Sequence, residues 1–461
     1  MVKRVRSDSG PLSLQKHNHW CVKLGVSIFL VGLVVRLLLW DSFSFSSVVV
    51  ETPPPLEEAK AESPVFASSV LQDSDDFPEN DQNQTQISKN GKGILLSCAC
   101  DVNGNVHCKC IIAEKCDLFV GDWVQDLSGP VYTNESCRVI EPHQNCMKNG
   151  RPDSGYLYWR WSPRDCVLPK FNPRKFLKFM RNKSMSFIGD SISRNQVQSL
   201  LCILSKVEPA VEIYHDKEYR SKIWKFRSHN FTLSVIWTPF LVKAAIFEDF
   251  NGVTSSEIQL YLDTLDQWTN QYKNFDYVVI GGGKWFLKTA IYHENKTVTG
   301  CHYCPGKNLT ELGFDYAYRR VLQEVFKFFT KSNHKATVLF RTTTPDHFEN
   351  GEWFSGGYCN RTVPFKEGQI HMIDVDSIMR GIELEEFEKA ASLGSKRVNL
   401  KLLDTTLLSL LRPDGHPGPY RKFQPFAKDK NAKVQNDCLH WCLPGPIDSW
   451  NDIILQMLLN A

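Results

Sequence analysis

Between Met185 and Leu403, short β-branched apolar runs alternate with amphipathic stretches. Strands are predicted at Met185 to Ile188, Leu233 to Trp237, Tyr277 to Ile280, Thr337 to Phe340 and Val398 to Leu403, with helices such as Ser191 to Leu204, Ser255 to Tyr272 and Phe314 to Lys331 between them. Parallel strands need long crossovers, and helices supply them. The pattern therefore predicts an α/β fold with a central, mainly parallel sheet covered by helices on both faces. Such sheets place ligand chemistry at the carboxyl ends of their strands. With 461 residues, the chain can hold that domain and a smaller lobe.

The N-terminal part follows a different logic. Lys3, Arg4, Arg6 and Lys16 precede an apolar run from Trp20 to Trp40, and Asp41 follows it. A run of this length spans a bilayer, and its charge asymmetry predicts residues 1–19 as a cytoplasmic tail and 20–40 as a type II signal anchor. Lys23 and Arg36 lie near enough to its ends to snorkel. A cleaved signal peptide is the alternative, but no clear A-x-A-like site follows. Residues 41–92 carry Pro53-Pro54-Pro55, much Ser, Asn and Gln, and many acids against Lys60 alone between Glu51 and Asp81. Such a segment cannot bury enough apolar surface to offset its ordering entropy, so a disordered luminal stem is expected.

The chain has 15 cysteines, all but Cys21 beyond the anchor, which implies disulfides in an oxidising lumen. Asn-x-Ser/Thr acceptors at Asn83, Asn134, Asn182, Asn230, Asn295, Asn308 and Asn360 fit the same route as glycosylation sites. The net charge of +3 comes from scattered residues and argues against a nucleic-acid partner. Residues 93–168 form a cysteine-rich N-terminal lobe and 169–461 the body that carries the chemistry. In the lobe, Cys98, Cys100, Cys108 and Cys110 flank Asn103-Gly104-Asn105 at period two. That spacing suits a hairpin stapled Cys98 to Cys110 and Cys100 to Cys108, with a zinc site as the sharper alternative.

Two distant segments could carry chemistry. Phe187-Ile188-Gly189-Asp190-Ser191 ends a strand and opens a helix, whose N-terminus would offer N–H donors to an oxyanion formed at Ser191. Serine there is also a common N-cap, and Gly121-Asp122-Trp123 shows how readily the pattern arises. A serine nucleophile needs a base oriented by a carboxylate. Asp437-Cys438-Leu439-His440-Trp441-Cys442 can supply both from one loop, while His347 and His416 remain rival bases.

Gly-Asp-Ser early and Asp-x-x-His late resemble the SGNH/GDSL esterase superfamily. More specifically, Cys116 to Val124, Tyr158-Trp159-Arg160-Trp161, Leu403-Asp404-Thr405-Thr406, Arg412-Pro413-Asp414-Gly415-His416-Pro417 and Asp437 to Gly445 resemble the plant trichome birefringence-like family. The resemblance covers about Cys116 to Leu458. It implies an SGNH-hydrolase-like three-layer fold with a disulfide-rich N-terminal lobe wrapped on a PC-esterase domain. It also implies a Golgi O-acetyltransferase acting on wall polysaccharide, with Ser191 as nucleophile, His440 as base and Asp437 orienting it. Disulfides Cys116–Cys166, Cys137–Cys202, Cys146–Cys442 and Cys359–Cys438 are implied as well.

One departure concerns the oxyanion. SGNH enzymes place an asparagine in a turn after a central strand, whereas here that turn is Gly281-Gly282-Gly283-Lys284-Trp285. Donors are then expected from the Ser191 N–H, Gly283, Arg194 or Asn195. Cys301-His302-Tyr303-Cys304 reads as a local disulfide or loop clip rather than a redox or metal motif. Trp285, Tyr303, Trp353 and Trp441 are candidate sugar-stacking residues, since a pyranose face suits an aromatic ring.

The resulting expectation is a Golgi enzyme that passes acetyl through an acetyl-serine to a polysaccharide hydroxyl. It would need no metal and no bound cofactor. Its donor would be acetyl-CoA or a derived carrier, supplied by an acetyl-donor transporter. Segments around Lys284, Cys301 and Thr342 to Trp353 resemble the mannan- and glucomannan-acetylating branch, with xyloglucan the alternative acceptor. A polysaccharide acetyl esterase and a non-catalytic wall-binding protein are the rival functions.

Overall fold

The computed structural model describes residues 96–100, 108–112, 116–245, 258–394 and 398–460. The expected tail, anchor and stem, and Asn83, lie outside the described residues. Among those residues, no helix is long and apolar enough to cross a membrane.

β1 (Leu96–Cys100) and β2 (Cys108–Ile112) pair antiparallel, with Cys98 opposite Cys110 and Cys100 opposite Cys108 along the backbone. The hairpin's Asn-Gly-Asn centre lies outside the described residues. β3 (Gly121–Gln125) and β4 (Trp159–Pro163) form a second antiparallel pair. Trp123 and Trp161 meet edge to face across it at 5.7 Å. Both tryptophans are buried in the same apolar cluster as the helices of the α/β body, so the lobe shares its core with that body.

The body runs through α1 (Pro173–Phe179), β5 (Ser184–Gly189), α2 (Ser191–Leu204), β6 (Val211–His215), β7 (Lys222–Phe226) and β8 (Phe231–Trp237). It continues with β9 (Val242–Ala245), β10 (Ile258–Leu265), α3 (Trp268–Gln271), β11 (Tyr277–Gly281), β12 (Ala290–Glu294) and β13 (Thr297–His302). α4 (Gly313–Lys331), β14 (Thr337–Arg341), α5 (Asp374–Gly394), β15 (Asn399–Leu403), α6 (Thr406–Leu410) and α7 (Asp448–Leu459) complete it.

The central sheet has the order β15-β14-β11-β5-β8-β7-β6. Its five strands from β15 to β8 are parallel, and β7 and β6 return antiparallel at one edge. Alternate residues feed opposite faces: Phe187, Val279 and Leu339 enter the core beneath α1, α2, α7 and the lobe, while Ile188, Ile280 and Phe340 enter the core beneath α4 and α5. The result is the three-layer α/β architecture expected from the sequence.

Residues 255–272 depart from the expected helix. β10 occupies 258–265 in a separate sheet of order β13-β12-β10-β9, and only the single turn α3 follows. Ile258, Leu260 and Leu262 are buried and alternate with more exposed neighbours. Their spacing of two, read with Leu265 and Trp268, also satisfies a helical stripe, and tertiary pairing with β12 decided between the two.

Candidate active site

Ser191 is the first residue of α2, immediately past the carboxyl end of β5. Asp190 caps the helix, its Oδ1 accepting from the Ile192 N–H at 3.0 Å. Gly189 has φ of +153°, and a Cβ there would stand 1.9 Å from the Gly281 carbonyl oxygen. Only glycine permits this approach of the β5 and β11 ends. In the parallel order β8-β5-β11, the crevice between β5 and β11 is the topological switch point.

The loop before α7 brings the other partners. His440 Nε2 lies 2.8 Å from Ser191 Oγ. On the other side of the ring, Nδ1 lies 2.9 Å from Asp437 Oδ2 and 3.1 Å from Oδ1. Asp437 Oδ1 also accepts from the Leu439 and His440 backbone N–H groups, at 3.2 and 3.0 Å. Burial alone would raise the Asp437 carboxyl, but attraction and hydrogen bonding to His440, with help from Arg421, hold it well below the usual range. It therefore stays ionised and orients the ring.

The loop is tied down on every side. Cys442 is bonded to Cys146 of the lobe and Cys438 to Cys359, while Cys116–Cys166 staples the lobe itself and Cys137–Cys202 ties it to α2. Cys301 and Cys304 close their own short loop. Arg151 donates to the carbonyls of Asp414 and His416, and buried Arg412 pairs with Asp414 and donates to Tyr156 O. Those contacts account for the Arg-Pro-Asp-Gly-His-Pro segment as a lobe-to-body lock.

The rival histidines support this loop from behind. His347 Nδ1 lies 2.7 Å from His416 Nε2, and His416 Nδ1 lies 2.7 Å from the His440 carbonyl oxygen. Both are buried, and burial pushes both imidazoles down. Neither makes a hydrogen bond to Ser191 among the described residues.

Two expectations need correction. Asn195 is fully buried, its Oδ1 accepting from Trp441 N at 2.7 Å and its Nδ2 donating to Trp441 O at 3.2 Å. It clasps the His440 loop to the Ser191 helix, and its amide is spent there rather than aimed at an oxyanion. Trp441 is fully buried, stacked on His416 at 4.3 Å and packed edge-on to Trp450, so it offers no face to a sugar. Among the other aromatic candidates, Trp285 is half-buried against Trp237 and Phe240 with Lys288 over its ring. Trp353 is exposed beside Phe354, its carbonyl accepting from Gln435 two residues before Asp437. Tyr303 is 67% exposed in the Cys301–Cys304 loop. Arg194 is half-buried in the first turn of α2, and Gly283 lies in the turn after β11. Of the expected glycosylation acceptors, Asn182, Asn230, Asn295, Asn308 and Asn360 are exposed and Asn134 is half-exposed.

Sequence reasoning missed His143. It stands on the lobe with its ring 6.3 Å from that of His440, edge to face. Desolvation, then repulsion from His440, pushes its imidazole down to about 4, so it is neutral near pH 6 to 7. A signal existed: the implied Cys146–Cys442 pairing carries residue 143 toward His440.

Comparisons with known proteins find a family match over most of the chain. Residues 168–457 match the GDSL/SGNH-like acyl-esterase family found in Pmr5 and Cas1p, and residues 114–167 match the PMR5 N-terminal domain. Protein trichome birefringence-like 25 of Arabidopsis thaliana is 55% identical, over 99% of this chain and 97% of its own. Protein trichome birefringence-like 26 of the same plant is 64% identical over 76% of this chain and 78% of its own. Xyloglucan O-acetyltransferase 1 of Populus trichocarpa is 46% identical over 79% of this chain and 86% of its own.

Proposed function

The chain belongs to the GDSL/SGNH-like acyl-esterase family found in Pmr5 and Cas1p, and from that premise we propose that it transfers acetyl groups to hydroxyls of a cell-wall hemicellulose. The observation that carries the reading is the Ser191–His440–Asp437 arrangement at the switch point, with each link within hydrogen-bond distance. Ser191 Oγ attacks the acetyl carbonyl as His440 Nε2 takes its proton; the carbonyl–donor bond breaks, and His440 protonates the leaving group. His440 then takes the proton of a sugar hydroxyl, which attacks the acetyl-serine and releases Ser191. The donor is acetyl-CoA or a derived carrier.

Mannan and glucomannan are the acceptors we propose, ahead of xyloglucan. The segments at Lys284, Cys301 and Thr342 to Trp353 support that choice. We place the body in the Golgi lumen behind a type II anchor at residues 20–40; the disulfides, including Cys146–Cys442 across the lobe, favour an oxidising compartment. Incubating the full-length chain with an acetyl donor and manno-oligosaccharide tests the reading. Mass gain on the sugar supports transfer, whereas acetate release without mass gain supports an esterase. Normal acetylation by Ser191→Ala would overturn the mechanism.

A further inference from the structure

Behind the Gly281–Gly283 turn lies a polar cluster that the two steps above do not use. Tyr318 on α4, Thr343 just past β14 and Glu383 on α5 are all buried. The Tyr318 hydroxyl donates to the Gly282 carbonyl at 2.7 Å, and Thr343 Oγ1 stands 3.3 Å from the same oxygen. Glu383 Oε1 accepts from the Thr343 N–H at 2.8 Å, and it lies 2.5 Å from Thr343 Oγ1 and 2.6 Å from the Tyr318 hydroxyl.

Three of these oxygen–oxygen contacts are short: Tyr318 with Gly282, Tyr318 with Glu383, and Thr343 with Glu383. Each needs a proton, and the two hydroxyls carry only two. The third belongs on the Glu383 carboxyl, donating to the Tyr318 oxygen, which donates onward to Gly282. Burial, opposed in part by the hydrogen bonds, raises Glu383 to about 7, in keeping with a protonated acid.

The direction in which this cluster holds the turn decides its use. The Gly282–Gly283 peptide is trans, so the Gly283 N–H points opposite to the Gly282 carbonyl. The carbonyl faces Tyr318 and Thr343. A Cβ at Gly282 would meet Pro239 O at 3.3 Å and Asp190 Oδ2 at 3.8 Å, so Gly282 itself lies against the residue that precedes Ser191. A Cβ at Gly283 would strike Thr343 Oγ1 at 2.2 Å, so only glycine fits where the turn packs against the cluster.

We propose that Tyr318, Thr343 and Glu383 are positioning residues that pin the Gly282 carbonyl and thereby present the Gly283 N–H to the Ser191 turn as an oxyanion donor, replacing the asparagine amide this chain lacks. The inference rests on Ser191 being the acylated residue. It makes a backbone N–H, fixed from the protein interior, do the work of a side chain.

The test is the p-nitrophenol burst of the full-length chain with p-nitrophenyl acetate, in which the Oγ–acetyl bond forms, nitrophenolate leaves and His440 takes the proton. Tyr318→Phe should lower the burst rate constant about tenfold or more while KM changes less than about twofold. Glu383→Gln, whose single amide atom at the Oε1 place can donate to Tyr318 or accept from Thr343 but not both, should recover only part of the rate lost in Glu383→Ala. Thr343→Val carries the same test should Glu383→Ala fail to fold. Wild-type burst rates in Tyr318→Phe and Thr343→Val, or losses confined to KM, overturn the proposal while leaving Ser191 in place. A wild-type chain that shows no burst and no acetyl-serine removes both readings together.

Discussion

Asp437→Asn separates orientation of the base from the architecture of its loop. The asparagine oxygen can keep accepting the Leu439 and His440 N–H groups that Asp437 Oδ1 now holds, so the loop stays closed. Its amide nitrogen, however, falls where Oδ2 now stands, 2.9 Å from His440 Nδ1. An N–H donor there forces Nδ1 to accept and leaves the ring proton on Nε2, pointing at Ser191 Oγ. In that tautomer His440 cannot take the serine proton. In serine triads this error costs about 10⁴-fold in kcat, which is about 5.4 kcal/mol of barrier. Loss of the ionised acceptor should cost stability only about 1–3 kcal/mol. The assay pairs the burst rate with thermal unfolding followed by circular dichroism. Turnover within about tenfold of wild type, in a folded protein, would refute the assignment of Asp437 as orienter.

The remaining predictions concern the frame around the site. Cys359→Ser with Cys438→Ser opens a linkage spanning 79 residues, and chain entropy sets the loss at up to about 4.5 kcal/mol; urea unfolding should show it, and kcat should fall because the bond anchors the loop between Asp437 and His440. Trp441→Ala should cost about 3–5 kcal/mol of stability through cavity formation, and a raised KM with unchanged melting temperature would instead restore the sugar-stacking role. Asp452 is raised to about 7, chiefly by burial, so the folded protein holds its proton longer than the unfolded chain. Its favourable effect is complete below the unfolded carboxylate range and is lost as pH rises toward 7, so Asp452→Asn should raise the melting temperature more at pH 7 than at pH 5.

The sequence made the parallel strands legible because both faces of β5, β11 and β14 are covered, leaving unbroken apolar runs. Ser191 stood out because a glycine had to precede it where β5 and β11 nearly touch. The edge strands β6 and β7 and the second sheet were missed. β6 is exposed along its length, and β10 satisfies strand and helix spacing alike. Trp441 and Asn195 were misassigned because residue type does not reveal burial, and each is the other's partner across 246 positions. The Tyr318–Thr343–Glu383 cluster carries no motif at all: its members come from three elements, and only the fold places them around one carbonyl.

The most direct measurement is intact and peptide mass spectrometry of the full-length chain, quenched in acid during turnover with an acetyl donor. The account predicts one acetyl group on the peptide bearing Ser191, formed at a rate no slower than transfer and cleared when acceptor oligosaccharide is added. Product formed with that serine unmodified at every time point, or an acetyl group on another residue that turns over at the transfer rate, would contradict it.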